Sequence, residues 1–381
     1  MVAGPITVVQ LLPGLEEGGV ERGTLEMGSF LSQKGHRSMV ISAGGRMVRQ
    51  LKAEGSIHIK WRIGEKSPVC LTYLFPLRQL LKNEKVDILH LRSRLPAWIG
   101  YLAWKSLPAD LRPCLVTTFH GFYSVNSYSA IMTKGQKIIA ISKAIKSHIK
   151  EQYGMADNRI VVIYRGVDEK VFSPAKITVD RMNYLCKDWG IMNTDAPLIL
   201  LPARITRLKG HDVFIKSLAR IQHLNWYAIC AGDTAENPKY VEELKNMVSG
   251  SGLEKKIAFV GHCNDMAAAL MLSDVVVSAT SETPEAFGRV AIEAQAMGKP
   301  VIASAHGGSL ETVLPGKTGW LVNPNDTADM AEALNQALSD PSMRKAYGQN
   351  GQRFVKENFT VEKMCRETLN VYCELMDAKR R

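Results

Sequence analysis

The 381-residue chain lacks the marks of several protein classes. No apolar run approaches the ~18 residues of a membrane span. The opening stretch, MVAGPITVVQLLPG, has neither the basic start nor the long apolar core of a secretory signal. The seven cysteines are odd in number and contain no C-x-x-C pair. They read as reduced thiols of a cytoplasmic protein, neither a disulfide framework nor a zinc site. No G-x-G-x-x-G is present, which disfavours a nicotinamide dinucleotide, and no D-x-D triplet is present to hold a metal-bound diphosphate. With 46% hydrophobic and 22% charged residues, disorder, collagen and coiled coil are excluded. The length allows two or three domains, each with its own core.

Positive charge is plentiful, and on one side only. Residues 1–165 hold 23 Lys and Arg against 11 Asp and Glu, a net of +12; residues 166–381 hold 25 against 26, a net of −1. A one-sided field of this size attracts a polyanion: anionic lipid headgroups, a phosphorylated glycolipid or nucleic acid.

Short β-branched runs alternate with amphipathic stretches, the pattern of βα units around a parallel sheet. One series of strands is expected at 6–12, 38–42, 86–91, 114–119, 137–141 and 159–164. After a polar segment at 166–196, a second series follows at 198–203, 226–231, 256–261, 274–279 and 300–304. The tail from 341 to 379 reads as two helices broken near Asn358–Thr360. The fold class is therefore α/β: two Rossmann-like, doubly wound domains in tandem. Ligands of such sheets bind beyond the carboxyl ends of the strands, so two domains facing each other would form an interdomain cleft.

Candidate residues lie just after predicted strands. In SETPEAFGRVAIEAQAMGKPVIAS, Glu285 and Glu293 are eight residues apart, within ~12 Å along a helix. Carboxylates accept paired hydrogen bonds from sugar or ribose hydroxyls. Phe287 and Gly288 lie between the two, and the N–H groups of Gly288 and Arg289, opening the helix, are placed to meet a diphosphate. A solvated helix with scattered acids is the ordinary reading of two such glutamates, but the flanking AFG and PVIAS make this pattern specific. In LPARITRLKGHDVFI, Arg204 and Lys209 precede Gly210, which opens the next helix. Cations there suit a diphosphate leaving group without a metal, although a basic surface loop is the commoner meaning of one such pair. Gly18 and Gly19, after the first strand, permit close backbone approach, or simply a turn. His120 ends the strand 114–119 before Gly121, where a histidine is more often structural than catalytic.

EAFGRVAIE, the R-x4-K-G pair, GGVE, FHG, AISKAIKSHI and YRGVDEKVFSP together resemble, in order and nearly end to end, retaining glycosyltransferases of the GT-B fold, specifically glycosyltransferase family 4. The resemblance implies transfer of a sugar from a nucleotide-diphosphate donor with retained anomeric configuration. It implies Glu285 on the donor sugar, Glu293 on the ribose, Arg204 and Lys209 on the diphosphate, and Gly19 in a loop closing over it. It further implies His120 beside sugar and acceptor, and Gly261-His262 holding the nucleobase through backbone groups. The helix after 360 is expected to return to the first domain, giving domains of 1–165 plus 360–381 (acceptor) and 166–359 (donor). Arg165 departs from the family, in which many members carry Asn before Gly-Val-Asp, and its role is left open.

The residues and the resemblance together predict a metal-free transferase in which preorganised cations stabilise the departing diphosphate. No cofactor is expected, because the nucleotide sugar is a substrate. No covalent nucleophile is evident, unlike glycosidases with carboxylates ~5 Å apart. The acceptor, a glycan or glycolipid, is expected on the basic domain. The stretch 91–108, with Arg92, Arg94, Lys105, Trp98, Tyr101 and Trp104, is either a membrane-contact patch or a core helix with inward tryptophans. Nucleic acid is disfavoured, since no recognition module occurs. The expected setting is lipopolysaccharide or capsule synthesis by a cytoplasmic monomer, peripheral on the inner membrane. Alternatives are an epimerase or phosphorylase on the same fold, or a non-catalytic binder of anionic ligands.

Overall fold

The computed structural model describes residues 4–16, 18–191 and 196–380. The chain divides into two compact units, Met1–Arg165 with Val361–Arg381, and Gly166–Thr360.

The first unit runs β1 (Thr7–Leu11), α1 (Gly19–Gln33), β2 (Arg37–Ser42), α2 (Val48–Ala53), β3 (Ile57–Lys60), α3 (Leu74–Asn83), β4 (Ile88–Leu91), α4 (Arg94–Lys105), β5 (Cys114–Phe119), β6 (Lys137–Ala140), α5 (Lys143–Tyr153) and β7 (Ile160–Val162). All strand pairs are parallel, in the order β3-β2-β1-β4-β5-β6-β7. The central strands β4 and β5 are buried throughout, which is why they read as unbroken apolar runs. Ser142 caps α5, its hydroxyl accepting the Ile145 N–H at 3.1 Å.

The second unit runs α6 (Val179–Asp188), β8 (Leu198–Pro202), α7 (His211–Arg220), β9 (Tyr227–Ala231), α8 (Pro238–Gly250), β10 (Ile257–Gly261), α9 (Met266–Leu272), β11 (Val275–Ser278), α10 (Arg289–Ala296), β12 (Val301–Ser304), α11 (Ser309–Thr312), β13 (Gly319–Val322), α12 (Thr327–Ser339) and α13 (Pro341–Asn358). Its strands are again parallel, in the order β10-β9-β8-β11-β12-β13. Chain direction across the sheet reverses between β1 and β4 in one unit and between β8 and β11 in the other. These are the switch points at which doubly wound sheets bind ligands.

The last helix, α14 (Val361–Arg380), belongs to the first unit. Its Met364, Cys365, Val371, Tyr372 and Met376 share one core with Ile6, Val8, Met27 and Leu31.

Three elements differ from the sequence reading. β3 is an edge strand whose residues are exposed or half-buried, so it carries no apolar run. β13 has only four residues and begins with a glycine. The segment 166–196 is not merely polar: α6 carries Leu185, which with Trp189 packs on a core of the second unit. All seven cysteines are free thiols. Among the described residues no helix is long and apolar enough to cross a membrane.

Candidate active site

In the second unit the two loops at the switch point are tied together. Ser281, after β11, donates its N–H to the Leu208 carbonyl at 3.0 Å and its hydroxyl to the Arg207 carbonyl at 2.9 Å. Gly210 turns at φ +65° against the Ala279 carbonyl, where a Cβ would lie 1.9 Å from that oxygen. Only glycine satisfies both conditions, and the turn delivers Lys209 to Glu285. The ammonium donates to Glu285 Oε2 at 2.6 Å, and the Thr280 hydroxyl donates to the same oxygen at 3.2 Å. Burial by itself would raise the Glu285 pKa. The charge and hydrogen bond of Lys209, with the Thr280 hydroxyl and Ala286 N–H, outweigh it and hold the carboxyl below its ordinary value.

A second loop grips the backbone of Glu285. The Gly308 N–H donates to the Glu285 carbonyl at 2.6 Å. A Cβ on Gly307 would sit 2.2 Å from that carbonyl oxygen, and one on Gly308 would sit 2.4 Å from Phe287 Cα. The sequence reading missed Thr280 and this Gly307-Gly308 pair, although two adjacent glycines just after the strand 300–304 were a usable signal. Glu293, in the second turn of α10, pairs with Arg289 at 3.2 Å, so each motif glutamate has a cation beside it.

The remaining donor-side candidates are dispersed. Arg204 is exposed, and its carbonyl accepts the Thr206 N–H at 2.9 Å. Gly288, buried with φ +92°, caps the start of α10. Gly261 ends β10 at a register shift with φ +72°, and His262 after it is exposed. Phe287 needs correction as a ligand contact. Its ring is 2% exposed and packs edge-on against Phe359 with centroids 5.7 Å apart, so it supports the loop from within the core.

In the first unit Gly18 precedes α1 and Gly19 begins it, both exposed. His120 follows β5. Its N–H reaches the Tyr123 hydroxyl at 3.4 Å, and its Nδ1 meets the guanidinium of Arg165. Burial first, then the charges of Arg165 and Arg92, hold the imidazole pKa well below its ordinary value, so the ring is neutral. Arg165 thus has a definite partner. Arg92 is 3% exposed and donates to Gln10 Oε1 at 2.8 Å across the switch point, which removes it from any surface patch. Neither reading of 91–108 holds as stated. α4 buries Pro96, Ala97, Ile99, Gly100 and Ala103, while Trp98 and Trp104 lie half-buried on its flanks. Their indole N–H groups donate to the Tyr128 and Pro113 carbonyls.

Known proteins match the chain along most of its length. The family model described as Glycosyltransferase Family 4 covers residues 17–171, and Glycosyl transferases group 1 covers 190–354. The crystal structure of a glycosyltransferase from Rickettsia africae ESF-5 matches 98% of this chain and 99% of its own, with 36% identity and a TM-score of 0.90. The chain is a family 4, group 1 glycosyltransferase. This glycosyltransferase has the GT-B fold. It is 30% identical over 225 residues to the lipopolysaccharide core biosynthesis mannosyltransferase LpcC of Rhizobium leguminosarum bv. viciae, covering 58% of this chain and 61% of that one. Anabaena Alr3699/HepE, solved with UDP and glucose, shares the fold at 22% identity, with a TM-score of 0.81 over 96% of this chain and 99% of that one.

Proposed function

We propose that this glycosyltransferase transfers its sugar to a hydroxyl of a glycan or glycolipid with retained anomeric configuration and without a metal ion, in building a cell-envelope polysaccharide of the lipopolysaccharide or capsule type. The observation that carries the reading is the half-buried Lys209–Glu285 pair at the switch point of the donor unit. It keeps a cation and a sugar-binding carboxylate side by side before any ligand arrives.

On binding, the diphosphate draws on the Lys209 ammonium and the Arg204 guanidinium, and Glu285 accepts hydrogen bonds from sugar hydroxyls. The bond between the anomeric carbon and the diphosphate oxygen breaks with its electron pair going to the diphosphate. The two cations stabilise that charge as it develops. The acceptor hydroxyl attacks from the face that the diphosphate leaves, and its proton goes to the departing phosphate oxygen. Glu293 serves the ribose, and the backbone at Gly261 and His262 serves the base.

Envelope synthesis is supported by the role of the Rhizobium relative in lipopolysaccharide core biosynthesis, and the UDP bound in the Anabaena structure makes UDP the first nucleotide to try. A glycolipid acceptor at an anionic membrane is supported by the charge of residues 1–165 and by Val69, Leu71 and Phe75. These three are 50%, 56% and 63% exposed and follow Arg62 and Lys66 in sequence.

The test is a thermal-shift screen of UDP, GDP, ADP, CMP and their sugars in the presence of a chelator, on wild type and Lys209→Ala. At 100 times its dissociation constant a ligand stabilises by about 2.7 kcal/mol. One diphosphate nucleotide stabilising wild type but not the variant supports the reading, and the anomeric coupling of the product then reports retention. Stabilisation only with added divalent metal overturns metal independence. Epimerisation of the donor alone, or a requirement for phosphate, replaces the transfer reading with an epimerase or a phosphorylase.

A further inference from the structure

Arg165 replaces a residue that is commonly asparagine in the family, and the mechanism above does not use it. It is 6% exposed, follows the last strand of the first unit, and lies between α1 and α14. One guanidinium nitrogen contacts Met364 Sδ at 3.9 Å and another contacts His120 Nδ1. Gly23 of α1 leaves the space, since a Cβ there would lie 2.6 Å from Arg165 Nη1 and 3.1 Å from Arg92 Nη2.

The chemistry of the contact is one-sided. A guanidinium has only donors, so Nδ1 must be the acceptor. An imidazole accepting at Nδ1 carries its proton on Nε2, and imidazolium, with a proton on both nitrogens, does not fit. Asparagine would not impose this, because its amide offers either an oxygen or an NH2 group. The other histidine of the cluster makes the contrast plain. His90 has both ring nitrogens engaged, with Tyr372 and Thr118 oxygens each at 2.7 Å. His120 Nε2 is buried with no partner among the described residues.

We propose that Arg165 is a positioning residue that fixes His120 in the tautomer with its proton on Nε2, so that His120 is a hydrogen-bond donor to an oxygen of the sugar substrate and not a general base. This rests on the reading of His120 as lying beside the sugar. Donation at Nε2 supplies the buried N–H with the acceptor that the protein does not provide.

A two-bond proton–nitrogen correlation spectrum of the whole protein labelled with 15N-histidine, at neutral pH and without substrate, reads the tautomer directly. The His120 signals are identified by their loss in His120→Gln. The expected wild-type pattern has Nδ1 unprotonated and Nε2 protonated. Arg165→Met is expected to shift it toward a mixture of tautomers, and Arg165→Lys, which keeps an obligate donor, to restore it. With nucleotide sugar and acceptor, Arg165→Met is expected to lower kcat about tenfold, the worth of one ordinary hydrogen bond, with KM for the donor changed less than about twofold. A proton on Nδ1 in wild type, or an unchanged spectrum in Arg165→Met, overturns the proposal. The wild-type spectrum alone can do so if the variant does not fold. The spectrum needs no turnover, so an error in the transfer reading leaves it interpretable. The predicted spectrum together with full activity in His120→Ala, which keeps no donor, overturns the donor role on substrate.

Discussion

The two units are built on one strand order yet treat their charges in opposite ways. In the donor unit two cations sit against carboxylates, Lys209 on Glu285 and Arg289 on Glu293, while Arg204 is exposed. In the first unit Arg92 and Arg165 are buried beside Gln10, His120 and Met364, and the charges of Glu26 and Glu21 also act on Arg92. Paired charges can be exchanged for those of a ligand at little cost, because the ligand's own charge replaces the lost partner. Buried cations set against neutral side chains do different work. Burial first, and then these charges, hold the imidazoles of His90 and His120 neutral.

The largest expected effect that sharpens this contrast is on acid stability. His211 is fully buried in the donor unit, and desolvation brings its pKa down to about 4 from 6.5. Its contribution is present above pH 6.5 and is lost as pH falls through 4, a change of about 3 kcal/mol. Chemical denaturation of wild type and His211→Leu across that window should show the variant losing less stability by roughly that amount; equal slopes would refute it. Next comes Gly308→Ala. The added Cβ drives the loop off Phe287 and the Glu285 carbonyl, and should cost about 2 kcal/mol of stability along with most nucleotide binding, measured by thermal shift. Tyr372→Phe removes a partner of the buried His90 and should destabilise by about 1–3 kcal/mol while leaving nucleotide affinity unchanged. The smallest effect should be that of Arg207→Ala. Its pair with Glu243 at 2.5 Å is largely exposed, so the denaturation midpoint should be unchanged, and so should donor affinity although Lys209 is two residues away.

The sequence carried the alternation of strand and helix because buried parallel strands are apolar on both faces, and it failed at β3 and β13, where edges and brevity erase that pattern. Lys209 and Glu285 could be singled out because both lie in short loops after strands, beside distinctive glycines. Even so, the sequence did not show their partners: Lys209 is held on Glu285, and Arg207, two residues earlier, is held on Glu243 at the surface. The polar interior of the first unit was not readable. Arg165 reaches His120 across 45 positions, and Tyr372 reaches His90 across 282. Contacts of that kind depend on which helices cover which strands, and no local spacing reports it. Arg92 looked like surface charge beside tryptophans for the same reason.

The return of α14 to the first unit has a consequence for how the protein is made. Translation adds roughly 5–20 residues per second, so the ribosome emits about two hundred residues of donor unit between Arg165 and Val361. During that interval Ile6, Val8 and Met27 lack the helix that covers them in the finished core, and His90 lacks the hydroxyl of Tyr372. The unit synthesised first is therefore completed last, while the donor unit has all its strands before α14 emerges. A nascent chain stalled before residue 361 exposes apolar surface on its earliest-made portion, where a chaperone would have to hold it.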